Sequence, residues 1–466
     1  MKPRPAIPAG PYLVVGLARS GVAAARALRA LGEEVIGLDA STPAGAESLR
    51  EQGVELFLNA DDCRHLLDRV RAVLKSPGVP ARAPAVAAAR ERGLPVLGEL
   101  ELAWRLLANE FVAVTGTNGK TTTVELIGHI YCEADLPVAV AGNVGTALSS
   151  LVGALDPRAT VVCEASSFQL EDTVAFAPEA AALLNVTPDH LDRHGTLAAY
   201  TAAKLEAFAR QSAEDVAVYP AELAERIAPA PGADPIPGAA RRVAFGWDAS
   251  AALFELDGEL WWGTRPLIAL AELRLRGRHN VENAMAAAAV CLTRGVDAEA
   301  VRAGLASFRG VAHRLEEVAE LGGVLYVNDS KATNVASTLV ALDAFVGRPL
   351  HLILGGRGKG QDFTSLREPV QRACAGVYLI GEHAATIAST LANIAPPVLE
   401  CGELDRAVAC ARAAAEGDSE AGSAAARAGD RGPVVLLSPA CASFDQFADY
   451  EARGAAFRAL VEGMEV

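Results

Sequence analysis

The segment Thr115-Gly116-Thr117-Asn118-Gly119-Lys120-Thr121-Thr122 follows directly on the apolar run Phe111-Val112-Ala113-Val114. Glycines let a backbone wrap closely around a phosphate. Successive N–H groups and the N-terminus of the next helix supply positive potential there. In such a loop Lys120 meets the β- and γ-phosphates and the Thr121 hydroxyl meets Mg²⁺. The spacing departs from the common phosphate loop, because Val114 stands five positions before Gly119 and the first glycine is Gly116. The alternative is an ordinary strand–turn–helix connection, and a Gly-Lys-Thr at a strand end argues against it.

Two further strand-like runs end in chemistry. Cys163-Glu164-Ala165-Ser166-Ser167-Phe168-Gln169-Leu170-Glu171 places a carboxylate where the ligand edge of an α/β sheet is expected. One such carboxylate beside a phosphate loop suffices for Mg²⁺, which takes oxygen ligands and keeps waters. Glu164 as a helix cap is the alternative. Leu184-Asn185-Val186-Thr187-Pro188-Asp189-His190 ends a third run, so His190 could meet metal or substrate phosphate. Lys204, in Tyr200-Thr201-Ala202-Ala203-Lys204-Leu205, reads from composition alone as a solvated helix lysine. Asn280 and Asn283 are i, i+3 neighbours at a helix start, suited to a nucleotide base or to simple capping.

The C-terminal third repeats this pattern. His313-Arg314, Asp329-Ser330-Lys331-Ala332-Thr333, Gly355-Gly356-Arg357-Gly358-Lys359-Gly360 and Ser438-Pro439-Ala440-Cys441-Ala442-Ser443-Phe444 mix cations, hydroxyls and a carboxylate after apolar runs. No Ser or Thr follows Lys359, so this is not a second phosphate loop. Three strand-end sites in one block suggest a substrate cup. Near the N-terminus, Gly16-Leu17-Ala18-Arg19-Ser20-Gly21 is a dinucleotide-type turn with Ala18 at the middle glycine, and Asp39 ends the next run.

The elements that must position these residues are short apolar runs alternating with Ala- and Leu-rich stretches, the pattern of α/β folds with mainly parallel sheets. Strands are predicted at 12–16, 34–38, 72–74, 95–97, 111–114, 161–163, 181–184, 324–327, 350–354, 377–380 and 434–437. Trp261-Trp262 and Leu273-Arg274-Leu275 are expected as short antiparallel strands. The Pro/Ala-rich stretch 220–240 is expected as a surface excursion, and the Ala/Gly/Glu/Arg-rich stretch 411–432 as a helix ending in a mobile loop.

With 466 residues, 51% of them apolar, the chain can bury large cores, which excludes wholesale disorder. Its formal net charge of −15 repels nucleic acid, leaving small anionic substrates only where local cations prevail. The start lacks a secretory h-region, and no run of about 18 apolar residues suggests a membrane span. Eight scattered cysteines without CxxC pairs read as reduced thiols of a cytoplasmic protein.

Taken in order, the segments GTNGKT, EASSFQLE, LNVTPDHLDRH, YTAAK, RGRHNVEN, HR, NDSKATN, GGRGKG and SPACASFDQF resemble the Mur ligases, the ATP-dependent amide ligases of peptidoglycan synthesis. The last-domain motifs resemble the branch that adds D-glutamate. The other branches carry an Asp-Tyr-x-His-x-Pro type segment where Asp329-Ser330-Lys331-Ala332-Thr333 stands here.

The resemblance implies three α/β domains: a Rossmann-like UDP-sugar domain over 1–108, a central ATP domain over 109–310 and a Rossmann-like D-glutamate domain over 311–466. It implies that UDP-N-acetylmuramoyl-L-alanine is phosphorylated by ATP to an acyl phosphate, which D-glutamate attacks through a tetrahedral intermediate. It assigns Gly116, Thr117, Asn118, Gly119, Lys120, Thr121 and Thr122 to ATP. Two Mg²⁺ fall to Thr121, Glu164, His190 and a carbamylated Lys204. Asn280, Asn283, Arg314 and Asp329 are assigned to adenine and ribose.

The UDP-sugar falls to Arg19, Ser20, Asp39, Gly78, Asn143 and His190. The D-glutamate pocket falls to Lys331, Thr333, Lys359, Ser443, Phe444 and Tyr450. Ala40-Ser41, Phe444 and Tyr450 depart from the family's usual residues. A cytoplasmic monomer is expected. A folylpolyglutamate synthase-like ligase would lack the Rossmann-like first block, and a non-catalytic nucleotide-binding regulator would have no use for Glu164, His190 and Lys204 together.

Overall fold

Val-, Ile- and Leu-rich runs of about five residues bury both faces only when helices cover a parallel sheet on each side. The computed structural model builds three such sheets among its described residues, 2–43, 45–228, 234–275, 277–358, 361–423 and 432–464. The chain forms two compact units, Met1–Phe308 with the first two sheets and Arg309–Val466 with the third.

The first sheet has strand order Glu55–Leu58, Val35–Asp39, Tyr12–Val15, Ala72–Lys75, Val96–Gly98, all parallel. Strand order reverses between Tyr12–Val15 and Ala72–Lys75, so the ligand crevice of an open α/β sheet opens at Gly16 and Ser76. Helix Arg19–Ala30 presses onto the first strand at Gly21, where a Cβ would collide with the carbonyl oxygen of Gly16. Only glycine permits that approach.

The second sheet runs Val138–Gly142, Thr160–Glu164, Phe111–Thr115, Ala180–Leu183, Val216–Pro220, Arg241–Gly246, Leu253–Leu256, and ends in the antiparallel pair Glu259–Trp262 and Arg265–Ala269. Phe111–Thr115 lies between Thr160–Glu164 and Ala180–Leu183, parallel to both. The loop at 116–119, Glu164 and the segment leading to His190 therefore leave one edge of the sheet side by side.

The third sheet has the order Glu316–Leu321, Val324–Asn328, Val434–Leu437, Leu350–Gly355, Cys374–Ile380, Val398–Gly402, antiparallel only at its first pair. Asp329, Ser438 and Gly356 follow the ends of three adjacent strands.

Two expectations change. Leu273-Arg274-Leu275 is not a strand: the antiparallel edge closes at Arg265–Ala269, and a 3₁₀ turn over Leu270–Glu272 leads the chain away before a partner strand is available. The stretch 220–240 is not all surface, because Pro220 ends a strand, Ala221–Ile227 is helical, and Ile236 and Ala240 are buried. The helix over 411–432 is the end of Leu404–Ser423, and 424–431 lie outside the described residues.

Candidate active site

The loop after Phe111–Thr115 is held open by its neighbours. Gly119 has φ +84°, and a Cβ there would strike the side-chain oxygen of Asn283. Asn283 is buried and donates to Asn280 Oδ1 at 3.1 Å. The two amides thus sit on one face at the start of helix Arg278–Thr293, with Asn283 packed beneath the loop. Asn185 supplies a second brace: its Oδ1 accepts from the Thr117 and Asn118 N–H groups at 3.1 and 2.9 Å, and its Nδ2 donates to the Asn118 carbonyl at 3.1 Å. Helix Lys120–Glu133 starts at the loop, aiming its N-terminal N–H groups at the same space.

Thr121 Oγ1 donates to Glu164 Oε2 at 2.7 Å, and Asn143 Nδ2 donates to Glu164 Oε1 at 3.0 Å. A hydroxyl and a carboxylate thus stand together at the foot of the helix. Lys120 Nζ lies 3.0 and 2.9 Å from the carbonyls of Gly116 and Thr117.

Lys204 is no solvated helix residue. It is 1% exposed, and its Nζ donates to the Gly116 carbonyl at 2.7 Å from 4.2 Å off the Tyr200 ring centre. Burial, and then the neighbouring Lys120, bring its amine down to about pH 7. Composition could not reveal this, since the packing comes from the loop 88 residues earlier in sequence.

His190 caps the short helix Leu191–His194 with φ +50°, a left-handed conformation costing about 1–2 kcal/mol in a non-glycine residue. Its ring lies 4.8 Å from Phe168, which is stacked on His194 at 5.4 Å. His194 accepts or donates to Ser167 Oγ at 3.0 Å, and burial holds its imidazole below the usual range. Phe168, His194 and Tyr200 thus form the wall that fixes His190 and Lys204.

A cavity of 330 Å³ opens at the switch point of the first sheet. Ser20, Asp39, Gly78 and Asn143 line it, with Ser76, Pro77 and Gln169. Arg19 reaches Asn143 from its rim, donating to the carbonyl at 3.1 Å. Asp39 uses its carboxylate internally: Oδ2 accepts from Leu17 N–H at 2.6 Å, and Oδ1 from Ser41 N–H and Oγ at 2.8 and 2.7 Å. Burial pushes its pKa up, but these hydrogen bonds outweigh that and hold it below the ordinary carboxylate value. Asp39 therefore shapes the turn that a ligand would meet. Pro77 and Gln169 carry no charge; Pro77 follows the end of strand Ala72–Lys75 and Gln169 lies in the short helix Ser167–Leu170 after Glu164.

In the second unit, Arg314 sits between His313 and Leu315, whose φ values of +63° and +45° twist the chain left-handed on both sides of it. Asp329 is buried; Ser438 Oγ donates to Oδ2 at 2.8 Å and the Leu315 N–H to Oδ1 at 3.2 Å. Burial raises its pKa to about 7 against these donors and Arg314.

Lys331 lies 5.9 Å from the Tyr450 ring centre, and Thr333 N–H donates to the Lys331 carbonyl at 2.8 Å. Ser443 is buried, with its hydroxyl unpartnered among the described residues, and Phe444 is exposed. Lys359 lies outside the described residues. Sequence reading passed over Arg453, which is buried and donates to Ser330 Oγ and O at 2.9 and 2.8 Å and to the Cys441 carbonyl at 3.1 Å. It ties the segment 329–333 to 440–443. No chemical motif surrounds it to give it away.

A glycine-bearing loop at a helix N-terminus, an adjacent hydroxyl–carboxylate pair and a buried amine on a parallel sheet are the parts expected of an α/β nucleotide-dependent enzyme. Family models match three stretches: a Mur ligase MurD-like N-terminal domain over 11–98, a Mur ligase middle domain over 114–291 and a Mur ligase glutamate ligase domain over 313–441. The chain belongs to the Mur ligase family. Among its relatives are the UDP-N-acetylmuramoylalanine–D-glutamate ligases of Anaeromyxobacter dehalogenans, 44% identical over 96% of both chains, and of Acidobacterium capsulatum, 41% identical over 96% of this chain and 95% of the other. The fold is similar to the alanine ligase MurC of Thermotoga maritima, with a TM-score of 0.55 at 19% identity over 98% of this chain and all of that one. MurF of Acinetobacter baumannii also gives 0.55, at 18% identity over 96% and 93%.

Proposed function

We propose that this chain is an ATP-dependent ligase that joins D-glutamate to UDP-N-acetylmuramoyl-L-alanine, a step of peptidoglycan precursor synthesis. The observation that carries it is end-to-end likeness, above 40% identity, to ligases bearing that name. The site geometry supports it. Phosphoryl transfer asks a protein for positioning and charge neutralisation rather than a covalent nucleophile, and the site offers cations, N–H groups and an oxygen pair.

In this reading the loop 116–122 and Lys120 hold the β- and γ-phosphates. An oxygen of the alanine carboxylate attacks the γ-phosphorus, the bond to the bridging oxygen breaks and ADP leaves. The D-glutamate amine then attacks the acyl carbon and loses a proton, and the tetrahedral intermediate expels phosphate. Asn283 and Asn185 keep the loop in shape throughout.

The donor set fits Mg²⁺, a hard cation that prefers oxygen. Thr121 and Glu164 would hold one ion, and His190 with a carbamylated Lys204 a second. Bound there, the ions would neutralise phosphate charge. An amine brought down to about 7 has a substantial neutral fraction near neutral pH, the state that reacts with CO₂. The 330 Å³ cavity takes the UDP-sugar, with Arg19, Ser20, Asp39, Gly78 and Asn143 around it.

In the second unit Lys331, Thr333, Lys359, Ser443, Phe444 and Tyr450 are assigned to D-glutamate and Arg314 and Asp329 to nucleotide contacts; in the first unit Asn280 and Asn283 are assigned to adenine and ribose. The unpartnered Ser443 hydroxyl suits a substrate carboxylate. The domains are proposed as 1–108, 109–310 and 311–466, and the enzyme as a cytoplasmic monomer. No described helix is long and apolar enough to cross a membrane.

Phosphate release by the purified chain with ATP, UDP-N-acetylmuramoyl-L-alanine and a panel of amino acids tests this. D-glutamate is expected to drive release well above every other amino acid; equal release with L-glutamate or a diamino acid refutes the assignment.

A further inference from the structure

Lys75 ends the strand Ala72–Lys75, immediately before the residues 76–79 that line the cavity. It is fully buried. Its Nζ donates to the Val79 carbonyl at 2.9 Å, closing the 76–79 turn, and forms an ion pair with Asp172 at 2.6 Å. Asp172 is also buried and follows the short helix Ser167–Leu170 that leads away from Glu164. Arg90 adds a second cation to Asp172 at 3.1 Å.

Arg193 approaches the same turn from the other side. Its Nη1 donates to the Pro77 carbonyl at 2.9 Å, and its Nη2 pairs with Glu171 and lies 3.5 Å from the Val79 carbonyl. Its guanidinium covers the Phe168 ring at 4.1 Å, whose ring also meets His190 at 4.8 Å. Arg193 belongs to Leu191–His194, the helix that His190 caps.

Two cations, one at a strand end of the first sheet and one on the short helix Leu191–His194, thus converge on one cavity-lining turn. Both are anchored on the adjacent acids Glu171 and Asp172. The choice of residue at 75 is telling, because arginine fills 36 of the 42 basic positions and lysine only six. A compact ammonium fits a closed site that a guanidinium fork would overfill.

We propose that Lys75 and Arg193 form an ionic clasp through which filling of the sugar-nucleotide cavity sets the position of the His190 loop, making them positioning residues for the reaction. A ligand pressing on the 76–79 turn moves the Pro77 and Val79 carbonyls. Arg193 transmits that displacement to the helix beside the phosphate loop, while the buried Lys75–Asp172 pair keeps the turn and the second sheet in register. Coupling between two sites is reciprocal, so the sugar nucleotide must then raise the affinity for the triphosphate.

The clasp rests on the function proposed above, and calorimetry on the full chain separates the two. Mg²⁺–β,γ-imido-ATP is titrated with and without saturating UDP-N-acetylmuramoyl-L-alanine. The wild-type chain is expected to bind the triphosphate analogue at least about 5-fold more tightly when the sugar nucleotide is present. In Arg193→Lys that gain falls below about 2-fold, while affinity for the analogue alone is unchanged. Glu171→Gln, at a half-buried position where folding is not at stake, should reproduce the loss.

Coupling retained in both variants, or absent from the wild type, overturns the clasp. A wild-type chain that gives no isotherm with the sugar nucleotide refutes the functional reading itself and takes the clasp with it. A lower melting temperature with coupling intact means that Arg193 is merely structural, and that outcome also counts against the clasp.

Discussion

A lysine amine is normally charged below about pH 10, and Lys204 escapes that rule because it is buried against Gly116 and near Lys120. Two outcomes follow at this one residue. Lys204→Ala should lose most turnover while ATP still binds, and formate or acetate at high concentration should restore part of it by occupying the carbamate's oxygen positions. Near-normal activity in the variant would end the idea.

Stability should also respond. With a folded value of about 7 against 10.5 unfolded, the unfolded chain holds the extra proton between those values. The cost of burying the charge is therefore full below pH 7 and fades as pH rises toward 10.5. In CO₂-free buffer Lys204→Met should stabilise the chain at pH 6, by on the order of 2–4 kcal/mol, and less so at pH 9. Equal gains at both pH values in thermal melts would contradict the assignment.

Asp39 gives a contrasting case. Because it holds Leu17 and Ser41, Asp39→Ala should relax the cavity's turn, weakening sugar-nucleotide binding by roughly 10-fold while ATP binding stays the same. Separate calorimetric titrations of each nucleotide decide this.

At the scale of elements, the glycines, lysines and acids that follow apolar runs were legible because a parallel sheet gathers successive strand ends on one edge. The segments carrying Gly119, Glu164 and His190 leave three adjacent parallel strands at the same edge for that reason. What sequence could not show were partners chosen by packing. Asp172 stands 97 positions after Lys75, and nothing in either neighbourhood names the other. Arg453 likewise looks like any helix arginine, yet it bridges two loops through four hydrogen bonds. Leu273-Arg274-Leu275 shows the opposite error: alternation suggests a strand, but a strand needs a neighbour to pair with, and the 3₁₀ turn over Leu270–Glu272 carries the chain away from the edge strand Arg265–Ala269.

Arg453 carries its own prediction. Arg453→Met leaves the Ser330 and Cys441 carbonyls buried without donors, costing about 2–4 kcal/mol in the second unit. It should also raise KM for D-glutamate much more than KM for ATP in steady-state assays. Parallel changes in the two constants would remove Arg453 from the acceptor pocket.

At the scale of the whole molecule, the chain divides at Phe308 into two units, the first built on two sheets and the second on one. Differential scanning calorimetry should therefore resolve two unfolding steps. The sugar-nucleotide cavity lies wholly in the first unit, so saturating UDP-N-acetylmuramoyl-L-alanine should raise only one of them, by about 2.7 kcal/mol at 100 times Kd. A single transition, or two that shift together, would mean the units unfold as one.

The enclosure of Lys75 and Lys204 also decides how the protein meets reagents. Acylating probes attack unprotonated, accessible amines, so in the native chain these two positions should label far more slowly than the N-terminal Lys2, whose side chain is part exposed. Loosening of the cavity turn would register as acylation of Lys75, and opening of the phosphate loop as acylation of Lys204. The six lysines divide the unlabelled chain into seven lysine-protease peptides, and all the cuts but the first fall at residues that border a proposed site; acylation blocks the cut at the labelled lysine, so each label joins two of those peptides into one. Mass spectrometry of those peptides amounts to a map of which pocket has opened, read without any engineered label.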